Sequence, residues 1–239
     1  MSKPILADCT PVILAGGLGK RLRSVVSDRP KVLAEVNQKP FLTYLLEQLH
    51  RAGFRKTVLC TGYLGEHIEK NFGSRYKHLA LFYSQETRPL GTAGALRLAL
   101  PLVQTKSAII LNGDSFCGAS LDKFYFHYQK RKVSAAIILA HVSDARRFGK
   151  VFVDAQGRVL HFLEKDKKEG SGWINAGIYL VKKELLRSIP SGGPVSLEKQ
   201  LFPQWIQQGI YGHQSRARFM DIGTAESYNC ADNFFSPKK

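Results

Sequence analysis

Lys20, Arg21 and Arg23 follow directly on the glycine turn Gly16-Gly17-Leu18-Gly19, and Lys31 follows Pro30 a little further along. Glycines after a strand let backbone approach a ligand closely and leave successive N–H groups free to point at an anion. A helix N-terminus behind them adds partial positive charge, and the lysines and arginines add full charges. That combination suits a polyphosphate. Two carboxylates complement it. Asp114 ends Asn112-Gly113-Asp114 after the apolar run Ala108-Ile109-Ile110-Leu111, and Asp221 follows Phe219-Met220 and precedes Ile222-Gly223-Thr224. An acid at the end of an apolar strand is costly unless a cation compensates it. Two such acids could share one Mg²⁺, which takes one or two carboxylates together with phosphate oxygens. The bland alternatives are a turn-forming Asp114 and helix-capping duty for Asp221, where Thr224 competes.

Two common phosphate loops do not fit. The dinucleotide fingerprint needs a third glycine where Leu22 stands, and the next strand, Thr57-Val58-Leu59-Cys60, leads into Thr61-Gly62-Tyr63 with no acid for a ribose. The P-loop needs Ser or Thr after Gly-Lys, and Arg21 follows Gly19-Lys20. Leu14-Ala15-Gly16-Gly17-Leu18-Gly19-Lys20-Arg21-Leu22 with Pro30-Lys31 instead resembles the opening motif of the sugar-phosphate nucleotidylyltransferases. The insert Arg23-Ser24-Val25-Val26-Ser27-Asp28 is similar to the loop of the D-glycero-D-manno-heptose 1-phosphate guanylyltransferases. Lys20 departs from the Thr or Ser of many members and adds charge.

The resemblance implies transfer of GMP from GTP to D-glycero-D-manno-heptose 1-phosphate, yielding a GDP-heptose for surface polysaccharide, in the cytoplasm. Mannose 1-phosphate guanylyl transfer is the nearest alternative, with thymidylyl, cytidylyl or uridylyl transfer behind it. A nucleotide-sugar-binding regulatory protein is the non-enzymatic one. It further implies that Leu14, Ala15, Gly16, Gly17, Gly19, Lys20, Arg21, Gln85, Gly91, Thr92, Asn112 and Gly113 bind the nucleotide, and that Asp114 and Asp221 hold Mg²⁺. Gln85 and Glu86, with Pro89 to Gly94, form the base-binding loop and helix start; capping by Gly91 and Thr92 explains the same residues equally well. Gly149, Glu164, Lys165, Asn175 and Gly177 match the sugar-phosphate contacts, with Lys165 as a point charge on the 1-phosphate. By the same resemblance Arg21 and Lys31 would be the catalytic residues, Arg21 contacting the leaving β,γ-phosphates and Lys31 bridging the phosphates of both substrates. The attacking phosphate is already an anion, so positioning and charge neutralisation matter more than a protein base.

The elements that must carry these groups read as an α/β protein. Apolar runs at 56–60, 79–84, 107–111 and 134–142 alternate with helix-period segments at 40–52, 65–72, 91–100 and 121–132. From Gly149 onward the pattern turns β-rich: a hairpin over 150–153 and 159–164, a strand over 174–181, a short helix over 183–189, a helix over 196–208 kinked at Pro203, a strand over 219–222 and a closing helix over 225–235. The resemblance makes this a Rossmann-like (GT-A-like) mixed, mostly parallel sheet flanked by helices, with a small β-rich sugar-binding portion. The expectation is one domain over 1–239, a nucleotide half to about 145 and a sugar-phosphate half after it.

At 44% hydrophobic and 23% charged residues, composition is that of a globular chain with a sizeable core. No apolar run is long enough to span a bilayer, and Met1 to Thr10 lacks the apolar stretch of a signal peptide. Cys9, Cys60, Cys117 and Cys230 lack metal-ligand spacing and read as reduced thiols. A formal net charge of +16 invites a nucleic-acid reading, but the cations are scattered, with no basic tail, zinc finger or RNA-binding aromatic motif. The charge is better read as a solvated surface that steers anionic small substrates. No specific nucleic acid and no membrane are expected as partners, and the sequence leaves a homo-oligomer open.

Overall fold

The computed structural model describes residues 6, 8–19, 21–22, 25–163 and 170–236. Lys20, Arg23, Glu164 and Lys165, named above for phosphate or sugar contacts, lie outside the described residues. In chain order the elements are β1 (Cys9–Leu14), β2 (Glu35–Val36), β3 (Lys39–Pro40), α1 (Leu42–Arg51), β4 (Lys56–Thr61), α2 (Gly65–Phe72), β5 (Arg75–Tyr76) and β6 (Leu79–Gln85). Then come α3 (Gly91–Ala99), β7 (Ser107–Asn112), β8 (Ser115–Cys117), α4 (Leu121–Arg131) and β9 (Ala135–Val142). The remainder is β10 (Lys150–Val153), β11 (Val159–Leu163), β12 (Gly172–Lys182), α5 (Lys183–Arg187), α6 (Phe202–Ile206), β13 (Ile210–Ser215), β14 (Phe219–Asp221), α7 (Ala225–Asn229) and α8 (Ala231–Phe235).

β1, β4, β6 and β7 pair in parallel, with β1 between β4 and β7. The apolar runs of β1, β4 and β7 are continuous because both faces are covered, whereas β6 leaves Phe82 exposed. Along β1, Val12 packs with α3, α5 and α6 on one side of the sheet, whereas Ile13 packs with α1 and α4 on the other. Ile110 and Ile109 of β7 divide in the same way. Helix α1 buries Leu42, Leu45, Leu46 and Leu49, the stripe expected of helical spacing. Gly53 follows its C-cap at φ +85°, a left-handed conformation that suits glycine. β12 runs antiparallel to β7, β9 and β10, so the hydrogen-bonded sheet continues from the first half of the chain into the second. Among the described residues no helix is long and apolar enough to cross a membrane. All four cysteines are free, and burial pushes the Cys9 and Cys60 thiols up to about 12.

The structure differs from the expected elements at the C-terminal end. The segment 196–208 divides into a π turn, Leu197–Leu201, and α6. Pro203 falls in the first turn of α6, where its missing N–H leaves no bond unmade. Ser196 caps the π turn, its hydroxyl accepting the Lys199 N–H at 3.1 Å. The closing helix is two short ones that meet at Cys230. β13 has no counterpart in the sequence reading: Ile210–Ser215 includes Gly212, His213 and Gln214, and becomes a strand by pairing in parallel with the apolar β9.

Candidate active site

Parallel pairing of β1 and β7 sets Leu14 opposite Asn112, so the glycine loop and Asn112-Gly113-Asp114 leave the sheet side by side. The Gly113 N–H donates to the Leu14 carbonyl at 2.9 Å. A Cβ on Gly113 would lie 2.5 Å from that oxygen and 2.8 Å from Val32 Cγ1, so only glycine allows this approach. Asp221 arrives from far along the chain through the small antiparallel pair β8–β14. There Asp221 stands opposite Ser115, and the Ile222 N–H donates to the Asp114 carbonyl at 2.9 Å. Capping of α7 falls to Thr224, which exchanges hydrogen bonds with Ser227 and leaves the Asp221 carboxylate to the site.

The charges meet there. Lys31, on a 3₁₀ turn that buries Val32 and Leu33, extends its ammonium to within 2.7 Å of Asp114 Oδ2. Asp221 Oδ1 accepts the Gly223 N–H at 3.0 Å and lies 3.4 Å from Arg147 Nη2. Burial raises the Asp221 pKa above the usual carboxylate range, and the Asp114 charge raises it further, against Lys31 and Arg147. A buried carboxylate whose ionisation is opposed by burial and by a neighbouring acid forms a site that a divalent cation would relieve. Among the described residues no group of three or more His, Cys, Asp or Glu could hold a metal, so a cation here must complete its shell with substrate oxygens and water.

Lys31 and Asp114 border an open cavity of about 350 Å³. Leu14, Ala15, Gly16, Gly17 and Leu18 form one wall, Lys31 and Asn112 to Asp114 another, and Glu86, Pro89, Gly91 and Thr92 a third. Nothing lies within 4 Å of where a Gly17 Cβ would stand, whereas a Gly16 Cβ would meet Glu86 Oε1 at 3.1 Å. Gly91 has φ +72°, and its Cβ would lie 2.5 Å from the Val195 carbonyl. That close contact seats the 190–195 loop on the start of α3 and carries Glu198 to the cavity wall. Gly19 (φ +61°) and the exposed Arg21 stand outside the wall, in the turn closed by the Leu22 N–H to the Gly19 carbonyl.

After β6 the two neighbours named from sequence, Gln85 and Glu86, part company. Gln85 is exposed and outside the wall; Glu86 lines it. Glu86 Oε2 accepts the Leu90 N–H at 3.0 Å, and burial raises the carboxyl's pKa. Asn175 donates to the Tyr179 hydroxyl at 3.0 Å and accepts the Gly177 N–H at 2.9 Å. Gly177, at φ +73°, sits where the β12 register shifts, a bulge beside the site. A Gly149 Cβ would lie 2.9 Å from the Leu163 carbonyl, so this glycine lets the chain pass close to β11. Glu198 escaped the sequence reading. In Ser196-Leu197-Glu198-Lys199 it looks like an ordinary acid in a helix's first turn.

The sequence matches the nucleotidyl transferase family over residues 10–236. It is 37% identical over 221 residues to the D-glycero-alpha-D-manno-heptose 1-phosphate guanylyltransferase of Aneurinibacillus thermoaerophilus, covering 92% of this chain and 95% of that one. It is 34% identical over 221 residues to the mannose-1-phosphate guanylyltransferase of Mycobacterium tuberculosis, covering 91% of this chain but 62% of that longer one. The structure resembles HddC from Yersinia pseudotuberculosis complexed with GMP-PN, at a TM-score of 0.84 and 30% identity, covering 95% of this chain and all of that one.

Proposed function

Because the chain belongs to the nucleotidyl transferase family, we propose that it transfers GMP from GTP to D-glycero-D-manno-heptose 1-phosphate, releasing pyrophosphate. The observation that carries this reading is the meeting of Lys31 and Asp114, which line one cavity with the glycine loop, with Asp221, whose carboxyl feels the charges of both. In the proposed reaction an oxygen of the sugar 1-phosphate attacks the α-phosphorus of GTP. The bond to the bridging α,β-oxygen breaks, and its electrons leave with pyrophosphate. In this reading Lys31 would neutralise charge on the phosphates of both substrates, and Arg21 would contact the leaving pyrophosphate. Asp114 and Asp221 would hold Mg²⁺, which would supply positive charge at the α-phosphate.

Glu86 supports guanine as the base. A carboxylate accepts hydrogen bonds, and the Watson–Crick edge of guanine offers two adjacent donors, N1–H and N2–H. Thymine and uracil offer one donor there, flanked by acceptors that a carboxylate repels. The A. thermoaerophilus relative, similar over nearly its whole length, favours the heptose. The M. tuberculosis relative keeps mannose 1-phosphate as the second reading. We place the reaction in the cytoplasm and require no nucleic acid or membrane.

Pyrophosphate release with Mg²⁺, across five NTPs and heptose, mannose and glucose 1-phosphates, tests both halves of the proposal. Release confined to GTP with the heptose is expected. Mannose 1-phosphate as the better acceptor would move the sugar assignment. Release with a pyrimidine nucleotide would refute the role given to Glu86.

A further inference from the structure

The buried Tyr179 hydroxyl has three polar neighbours: Asn112 Nδ2 at 3.3 Å, Asn175 Nδ2 at 3.0 Å and Glu198 Oε1 at 3.4 Å. A phenol has one proton to give, and a carboxylate can only accept. Burial holds the Tyr179 pKa well above its ordinary value, so the proton is kept. Glu198 is fixed as an acceptor by other hydroxyls too, taking Thr92 Oγ1 at 2.8 Å and Ser196 Oγ at 3.3 Å on Oε2. With its proton committed to Glu198, the Tyr179 oxygen can only accept, and both asparagines must turn their NH₂ groups toward it. For Asn175 this is confirmed from its other end, because Oδ1 accepts the Gly177 N–H. For Asn112 it has a different result. Its Oδ1 is turned away, buried, and without a hydrogen-bond partner among the described residues, although Asn112 lines the cavity next to Gly113 and Asp114. A buried acceptor left unpaired is costly, so it is a position where a bound donor gains most.

We propose, resting on the functional reading above, that Asn112 Oδ1 receives one alcohol hydroxyl of a bound substrate, and that Glu198 imposes this preference by setting the direction of the hydrogen-bond chain through Tyr179. Glu198 is thus a positioning residue, and Asn112 the group that reads the ligand. The hydroxyl has two sources, the ribose of the nucleotide and the sugar of the 1-phosphate. The ribose is favoured because Asn112 and Thr92 line the same cavity as Glu86, read above as the base contact, and Asp114, read above as the phosphate contact.

The test measures equilibrium binding and steady-state KM and kcat for GTP, 2′-deoxy-GTP, 3′-deoxy-GTP, the two corresponding fluoro nucleotides and singly deoxygenated sugar 1-phosphates. The proteins are wild type, Asn112→Ala, Glu198→Gln and Tyr179→Phe, with melting temperatures recorded for each. In the wild type, loss of one particular hydroxyl is expected to weaken binding at least tenfold, and Asn112→Ala should bring that ratio close to one. Glu198→Gln can donate to the Tyr179 oxygen, which frees the phenolic proton and lets the Asn112 amide turn. The fluoro analogue, an acceptor at the same position, should then gain at least threefold relative to the parent hydroxyl. Tyr179→Phe should lower the hydroxyl preference without reversing it. A purely structural role for Glu198 would lower stability and leave all analogue ratios unchanged, which overturns its part. A wild type indifferent to every hydroxyl, or an Asn112→Ala variant that keeps the full ratio, overturns the proposal. A wild type that binds and turns over no GTP with any sugar phosphate instead overturns the functional reading, and this inference with it.

Discussion

Replacing Lys31 by methionine removes one charge and little volume. The Lys31 side chain is 11% exposed and that of Asp114 38%, with 2.7 Å between ammonium and carboxylate. A hydrogen bond to a charged group contributes about 1.5–3 kcal/mol. The partly solvated carboxylate reduces that to about 1–2 kcal/mol here. For a chain of this length each kcal/mol moves Tm by about 2–4 °C, so metal-free Lys31→Met should melt about 2–8 °C lower. A formal charge of +16 works against this, because removing any cation relieves self-repulsion. Lys182→Met provides the control, since Lys182 makes no side-chain hydrogen bond or ion pair among the described residues. Lys31 also shields Asp114 from Asp221, so Lys31→Met should cost less in an Asp221→Asn background, by at least about 0.5 kcal/mol. Thermal unfolding at pH 7 without metal measures all four variants, and pyrophosphate release should fall about a hundredfold in Lys31→Met. Equal melting temperatures for Lys31→Met and Lys182→Met, with an additive double mutant, would refute the electrostatic account.

Gly113→Ala forces its Cβ to within 2.5 Å of the Leu14 carbonyl unless the glycine loop and Asp114 separate. A displacement approaching 1 Å should slow turnover by about a hundredfold, and a wild-type kcat would show that the two strand ends need no such contact. Arg21→Ala, at an exposed position outside the cavity wall, should melt within about 1 °C of wild type. It should nonetheless release pyrophosphate about a hundredfold more slowly, and an unchanged rate would remove Arg21 from the reaction. Asp221 carries a raised pKa, so the folded chain holds this proton to higher pH than the unfolded chain does. Stability therefore falls as pH rises from the unfolded value, about 3.9, through the raised folded one. Asp221→Asn should be more stable than wild type at neutral pH without metal, and this advantage should vanish below about pH 4. Denaturant titrations across that range would expose the opposite slope if the carboxylate were instead stabilised in the folded state.

What was legible in the sequence is what local pattern encodes. The apolar run of β1, the glycine turn and the acids ending two apolar runs each announced themselves, because a buried parallel strand needs continuous hydrophobicity and its carboxyl end faces ligand. That Asp114 and Asp221 touch one site depends on β8 and β14, three residues each, too short to carry a period of their own. Which of Gln85 and Glu86 lines the cavity depended on where β6 ends: Gln85 is its last residue and is exposed, and Glu86 follows it into the wall. Glu198 was hidden for a related reason. Its partners, Thr92 and Tyr179, lie on α3 and β12, and the seating of Val195 and Leu197 on the start of α3 helps bring the three together. β13 was missed because it is a strand by virtue of its neighbour, not its own composition.

The pairing of β12 with both β7 and β9 bears on how such a chain could be re-engineered. Cutting near residue 145 and grafting on a foreign second half, to change the acceptor sugar, would require the new strand to reproduce five paired positions against β7, from Ile178 opposite Leu111 to Lys182 opposite Ser107. A slip of one residue would turn Tyr179 away from Glu198 and reverse every side chain along the ladder. Acceptor choice is therefore better altered by substitutions within the native frame than by cassette exchange. For the same reason, fragments separated there should recover activity only when mixed, because each leaves exposed a strand edge that the other completes.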